Sequence, residues 1–289
     1  MIPFTYLEPS SVDETLAALV QHGVDAKLIA GGTGLVNLMK QRLVRPSFVI
    51  GLRALKPLAG IAENGGLRIG ALTTLQSLAT SAVVARAAPL LAEACGHVAT
   101  VRVRSMATLG GAVAHADPHL DTPPTLIALD GRIVARSQRG QREIPADQFF
   151  TGFYETVLEP DELVTEILVP AQPAGTGTAF LKFLPATHDD YATVSVAARV
   201  TLGANGAIAG ARVALGAAAM VPVRATAVES ALQGATPDEK TFQAAAPLVA
   251  GAIDPIEDFR GSADYKRKMA AVFVRRALAQ AAARAKRPG

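Results

Sequence analysis

Tryptophan is absent from this 289-residue chain, and aromatic side chains of every kind make up only 5% of it. A chain so poor in flat rings offers no platform for stacking bases, so nucleic acid is not expected as a partner. A single cysteine, Cys95, excludes an intrachain disulfide and fits a reducing compartment, so a cytoplasmic location is expected. It also excludes a zinc site of clustered cysteines and a self-held iron–sulfur centre, which takes about four such ligands. No apolar run reaches the roughly 18–20 residues of a membrane span. The opening residues, MIPFTYLEPSSVDE, carry no basic stretch ahead of an apolar one, so no secretory signal is read there. Charge is sparse: Lys and Arg number 28 against 25 Asp and Glu, a mild excess of +3. What the chain has in quantity is apolar side chain, 50% of its residues, ample for a sizeable core. Its length suggests two or three packed units.

Pattern and punctuation give a coarse order of elements. SVDETLAALVQHG (Ser11–Gly23) reads as a helix, with Ser11 as N-cap, Glu14 three residues on, and Gly23 as the stop. AKLIAGG reads as a short buried strand, GLVNLMKQRL as a turn or two of helix, and SFVIGL and GLRIGAL as strands. The run from Thr74 to Thr100 carries helical spacing and is expected as two helices broken near Pro89. LIALDGRIVARS is expected as a hairpin turning at Asp130–Gly131. ELVTEILVP is a strand ending at Pro170, and AQPAGTGT (Ala171–Thr178) is the best linker. Beyond it, TVSVAARVTL and ARVALGAAA read as strands around a turn at GANGA, and helices close the chain, the last from about Asp264 to Ala285. The pattern is mixed α+β with a smaller sheet and helices after the linker.

KLIAGGTGLVNLMKQR (Lys27–Arg42) sets Gly31, Gly32 and Gly34 between a strand and a helix. Glycine lets backbone approach a ligand closely, and the first N–H groups of a helix have no internal partner. Such a turn can cradle an anion, phosphate above all; it can also be an ordinary tight turn. A Rossmann fingerprint would need a small residue where Asn37 stands, and its acidic partner arrives late, at Glu63. A P-loop would need Lys and Ser or Thr directly after a glycine. Neither fits.

Thr108, Gly110 and Gly111 form a second strip of small residues, expected to expose free N–H groups. Two such loops can clamp a diphosphate from two sides. His115, Asp117, His119 and Asp121 follow in alternation. A carboxylate at Asp117 or Asp121 suits the hydroxyls of a sugar or ribityl chain. A metal site and a capping role for Asp121 are the competing readings, although Pro118 and the DTPP that follows make a regular strand unfavourable.

AGGTGLVNLMKQRLVRPSFVIGL together with VRSMATLGGAVAHADPHLDTPPTLIALDG resembles the FAD-binding medium subunit of the molybdenum hydroxylases, the xanthine dehydrogenase and carbon monoxide dehydrogenase family. The likeness extends to AFLKF, DDYATVSVAARV and DFRGSADYKRKMAAVFVRRAL. The resemblance implies an α+β fold: a two-lobed FAD-binding domain of the vanillyl-alcohol-oxidase (PCMH) type over residues 1–172, with lobes at about 1–55 and 56–172. A smaller C-terminal α+β domain of antiparallel sheet and helices would cover 173–289. It further implies that Ala30, Gly31, Gly32, Thr33, Gly34 and Leu35 hold the FAD pyrophosphate from one side, with Leu28 and Ile29 also among the FAD-binding residues. Thr108, Gly110, Gly111 and Ala112 would hold it from the other. Asp121 would bond FAD hydroxyls, His115 would make a polar FAD contact, and Lys182 would approach the flavin ring. A cation there favours reduced flavin and raises its potential.

By the same resemblance, a small subunit with two [2Fe-2S] clusters and a large subunit with molybdenum cofactor would be partners, in a dimer of heterotrimers. Electrons would pass through FAD to an external acceptor, and neither an acid–base catalyst nor a metal ligand is expected in this chain. Two rivals stay open: a stand-alone FAD oxidoreductase, and an assembly subunit that has lost FAD. The sequence departs from the family at Gly34, where Ser, Asp or Glu is common, at Ala112, a frequent Asn or Asp, and at Ala186 and Thr187, where basic residues are usual. Tyr191 can lie against the flavin or serve as a core tyrosine. His97 reads as a structural histidine and Cys95 as a small buried hydrophobe. The basic tail RRALAQAAARAKRPG reads as a solvated helix face.

Overall fold

The computed structural model describes residues 1–184, 187 and 189–286. Strand β1 (Thr5–Leu7), helix α1 (Val12–His22), β2 (Ala26–Ile29), α2 (Leu35–Lys40) and β3 (Phe48–Gly51) form the first unit. Ser11 caps α1 by accepting from Glu14 N, and Gly23 ends it at φ +52°. The sheet is parallel, ordered β1-β3-β2, and Leu16, Leu19, Ile50 and Leu52 fill the core beneath it.

The second unit begins with β4 (Ile61–Glu63), β5 (Gly66–Gly70), α3 (Leu75–Thr80), α4 (Ala82–Ala87), α5 (Pro89–Gly96), α6 (Val101–Arg104), α7 (Leu109–His115) and α8 (Thr122–Ala128). It continues through β6 (Arg132–Ser137), β7 (Gly140–Pro145), β8 (Phe150–Gly152), β9 (Glu155–Thr156) and β10 (Leu163–Pro170). Its main sheet is antiparallel, ordered β4-β5-β10-β6-β7. Two sequence expectations are corrected here. The run before Thr100 makes three helices, because Ser81 ends α3 and its hydroxyl caps α4, a second break besides Pro89. LIALDGRIVARS is no hairpin: Leu126–Ala128 complete α8, whose first turn accepts Pro123 and Pro124 because those N–H groups would be unpaired anyway. Asp130 then turns the chain into β6 at φ +53°, a conformation Asp tolerates.

After Pro170 the chain forms β11 (Thr176–Phe183), β12 (Val194–Leu202), β13 (Ile208–Gly216) and β14 (Val223–Arg224), an antiparallel meander. Helices α9 (Thr226–Leu232), α10 (Glu239–Ala245) and α11 (Ala263–Ala285) follow. Alternation divides the meander's two faces. Val194, Val196, Ala198 and Val200 of β12 join Val213 and Leu215 of β13 in a core closed by α11. The opposite face gives Phe180, Ala197 and Ala214 to the core of the second unit. The third sheet therefore lies between α11 and α8, and the two larger units share apolar surface. Ion pairs flank that seam: Arg284 is bidentate on Glu93, and Arg199 and Arg212 converge on Asp130. No described helix is long and apolar enough to cross a membrane.

Candidate functional site

The first glycine turn lies against the end of α6 and the end of α7. A Cβ at Gly31 would fall on the Met106 carbonyl oxygen, so only glycine fits that crossing. Gly32 takes φ +72°, and a Cβ there would be 3.2 Å from Ile29 Cδ1, while Leu28 packs against the core of the first unit. Ala30 lies opposite Gly111: a Cβ there would be 3.8 Å from the Ala30 methyl. Among the described residues, the N–H groups of Gly31, Gly32, Thr33, Gly34 and Leu35 donate to no protein acceptor. Five successive free donors at a helix start form a concentrated anion site. The Thr33 carbonyl is taken by Asn37 Nδ2 at 3.0 Å, which fixes the turn from behind.

The second loop works differently from the expectation of free N–H groups. Leu109 N donates to Thr73 O at 3.0 Å, Gly110 N to Ala71 O at 2.9 Å, Gly111 N to Thr108 Oγ1 at 3.1 Å, and Ala112 N to Thr108 O at 2.9 Å. Thr108 is the N-cap of α7, and its own hydroxyl consumes the donor. Glycine serves packing at Gly110, where a Cβ would be 2.5 Å from the Ala71 Cβ. Gly111 is exposed toward the first loop. The second loop thus supplies a smooth wall, while the first supplies the donors.

His115 joins the loops. Its Nε2 would be 2.6 Å from a Cβ at Gly34, so the imidazole occupies the space that a larger residue at 34 would need. Burial holds its pKa below the ordinary histidine value, with Asp117 pulling the other way, so the ring is neutral near pH 7. The four alternating residues do not converge as a metal site: His115, Asp117 and His119 are linked by contacts, and Asp121 bonds Lys182 instead. Chain reversal at Ala116, in the left-handed region at φ +52°, sends Asp117 to accept from His119 N at 2.9 Å, His119 Nδ1 at 3.2 Å and Tyr154 Oη at 2.9 Å. Tyr154 stands edge-on to His115, with ring centroids 5.0 Å apart. His119 stands edge-on to Tyr191 at 5.9 Å. These contacts make one wall from Gly34 through His115, Tyr154, Asp117 and His119 to Tyr191. Sequence reasoning missed Tyr154 and Met106; nothing in TGFYET or RSMAT marks either.

Asp121 and Lys182 meet at the seam between the second and third units. Lys182 Nζ lies 2.8 Å from Asp121 Oδ2 and 3.3 Å from His97 O, with the two side chains only 3% and 4% exposed. A solvated surface lysine is thereby excluded. Alternation along AFLKF put Lys182 on the same face as Phe180, whose side chain enters the neighbouring core. Asp121 sits at the start of α8 but makes no capping bond. Burial pushes its carboxyl up to about 6, against the pull of Lys182. Its Oδ1 is buried and has no partner among the described residues, and nearby along the same strand face Ser195, the cross-strand neighbour of Lys182, also has a buried, unpaired hydroxyl. A buried carboxylate oxygen without a donor is costly and points to a ligand hydroxyl. Thr187 lies among the described residues and accepts from Asp190 N through its carbonyl at 3.2 Å. The departure at Ala186 falls outside them.

Free N–H donors suited to phosphate and an orphaned buried carboxylate oxygen fit a dinucleotide with polyol character. Two family models divide the chain between them: the FAD binding domain in molybdopterin dehydrogenase matches residues 2–172, and the CO dehydrogenase flavoprotein C-terminal domain matches residues 179–281. The chain belongs to the FAD-binding medium subunits of the molybdenum hydroxylases. It is 41% identical to the carbon monoxide dehydrogenase medium chain of Hydrogenophaga pseudoflava over 287 residues, 98% of this chain and 99% of that protein. It is 29% identical to the xanthine dehydrogenase FAD-binding subunit of Escherichia coli O157:H7, over 92% of each. The solved carbon monoxide dehydrogenase from Hydrogenophaga pseudoflava superposes with a TM-score of 0.94 at 42% identity, covering 98% of this chain and 99% of that one. The quinoline 2-oxidoreductase of Pseudomonas putida 86 gives 0.93 at 33%, covering 99% of each. In this medium subunit the mixed helix and sheet architecture is that of the family's two-domain flavoproteins.

Proposed function

We propose that this medium subunit carries FAD in the cleft between the two glycine loops and serves as the electron outlet of a cytoplasmic molybdenum hydroxylase. FAD, when bound, takes electrons delivered by the [2Fe-2S] clusters of a small subunit, themselves fed by the molybdenum cofactor of a large subunit, and hands them to an external acceptor. The assembly is a dimer of heterotrimers. Residues 1–172 form the FAD-binding domain, with lobes at about 1–55 and 56–172, and 173–289 form the C-terminal domain. The free N–H groups of Gly31 to Leu35 take the pyrophosphate, and Thr108, Gly110, Gly111 and Ala112 pack against its other side. His115, neutral and filling the space above Gly34, closes the loop junction. Asp121 offers its unpaired Oδ1 to a cofactor hydroxyl, and Lys182 places positive charge beside it. These residues bind and orient; none transfers a proton to substrate.

The observation that carries this reading is the unpaired Asp121 Oδ1, buried at the junction of both domains. Relatives of this chain are named for substrates as different as carbon monoxide, nicotine and caffeine, which fits a subunit whose own site serves a shared electron path. The test is Asp121→Ala: FAD content should fall and acceptor reduction with it. An Asp121→Ala protein with full FAD content and turnover would remove Asp121 from the site.

A further inference from the structure

Arg260 lies in the turn before α11, remote in sequence from both glycine loops. That turn is pinned by a bridge between Asp258 and Gly261, by Arg260 N donating to Asp258 Oδ1 at 2.9 Å, and by Lys266, buried at 2% exposure, holding Asp258 at 2.7 Å. From this base the guanidinium stacks on Phe259 at 4.2 Å and reaches the Tyr191 ring, 5.7 Å to the centroid. It also donates to Asp190 Oδ1 at 3.2 Å, and that oxygen accepts the Tyr191 N–H at 2.7 Å. One cation thus holds Tyr191 by its ring and, through Asp190, by its backbone. Phe259 is 85% exposed, so little of its ring is covered apart from its contact with the guanidinium. The Arg260 Nε is buried without a partner among the described residues. Ordering a long arginine and leaving a buried donor unpaired both cost free energy, so stability alone does not account for the arrangement.

The geometry points to Arg260 as a positioning residue that fixes Tyr191 as the C-terminal domain's edge of the flavin site, against His119 and Asp117. This rests on the FAD reading above, and Arg260 acts through Tyr191 without touching the cofactor. The test labels the full chain with 3-fluorotyrosine. With four tyrosines, the Tyr191 fluorine line is assigned by its loss in Tyr191→Phe. In Arg260→Ala this line should move toward the free fluorotyrosine shift, and in Arg260→Lys, which keeps the charge at Asp190 but loses the flat stack, it should move part-way. The chain loaded with FAD gives the second readout. Tyr191→Leu and Arg260→Ala should alter the visible flavin spectrum alike, and the double variant should match either single one. A Tyr191 line unmoved in both Arg260 variants, or spectral changes that add in the double variant, would overturn the proposal. If Arg260→Ala does not fold, Arg260→Lys and Phe259→Ala carry the same comparison. A native chain that takes up no FAD would count against the site reading, whereas the fluorine result bears on Arg260 by itself.

Discussion

Replacing Lys182 with methionine removes a charge and little volume, and its cost follows from what Asp121 does in response. Burial pushes the Asp121 carboxyl up to about 6 from the ordinary aspartate value of 3.8. The folded state therefore binds more protons between those values, and native stability falls as pH rises through that window. Above it, the buried carboxylate carries a fixed penalty of about 3 kcal/mol, at about 1.4 kcal/mol per unit. Lys182 is the group that lowers this pKa. Without it the carboxyl rises further, and each further unit adds about 1.4 kcal/mol to the penalty at high pH. Lys182→Met therefore costs more near pH 8 than near pH 5, by about 1.4 kcal/mol for each unit by which the carboxyl rises. Near pH 5 Asp121 is mostly protonated in both proteins, and only the lost lysine contacts remain. Urea unfolding at the two pH values, with unchanged slope, reads the difference directly. Equal destabilisation at both, or a larger one near pH 5, would refute the reasoning.

Gly31→Ala should lower stability by at least about 2 kcal/mol and abolish FAD retention, because the methyl meets the Met106 backbone; Gly96→Ala, with nothing within 4 Å of the new methyl, should be neutral or slightly stabilising in the same urea experiment. Cys95 is fully buried and burial pushes its thiol pKa well up. A thiol-reactive disulfide reagent should therefore leave the folded chain unmodified and react at the rate of unfolding, followed by absorbance. Glu93→Gln should cost about 1–2 kcal/mol, since Glu93 accepts Phe180 N at 3.2 Å as well as both Arg284 nitrogens, and the urea midpoint should fall accordingly.

Local chemistry explains which features were readable in the sequence. Ser11 and Gly23 mark α1 because capping depends on residue type, and the strand-like run TVSVAARVTL marks β12 because a sheet with two apolar neighbours needs both faces filled. The strand–glycine–helix turn at Gly31 was legible for the same reason. The helix at Thr122–Ala128 was not, since Asp130–Gly131 reads as a hairpin turn and prolines are tolerated only in a helix's first turn. Free donors in the second loop were expected because glycine says nothing of where its N–H points; Thr108 and Ala71 take them. Tyr154 and Arg260 come to the site only through tertiary packing, across 37 residues to Asp117 and 70 to Asp190. The Asp121–Lys182 pair was anticipated as two separate cofactor contacts; its direct bond is a property of the domain seam.

In the proposed function the two loops and Asp121 together hold FAD. The measurement that tests it most directly is the absorbance spectrum of the purified chain after incubation with FAD and removal of unbound pigment, followed by acid release and identification. Flavin bands with about one FAD released per chain, lost in Gly31→Ala and Asp121→Ala, are the predicted result. A folded native chain that stays colourless, or an unchanged yield in both variants, would contradict it.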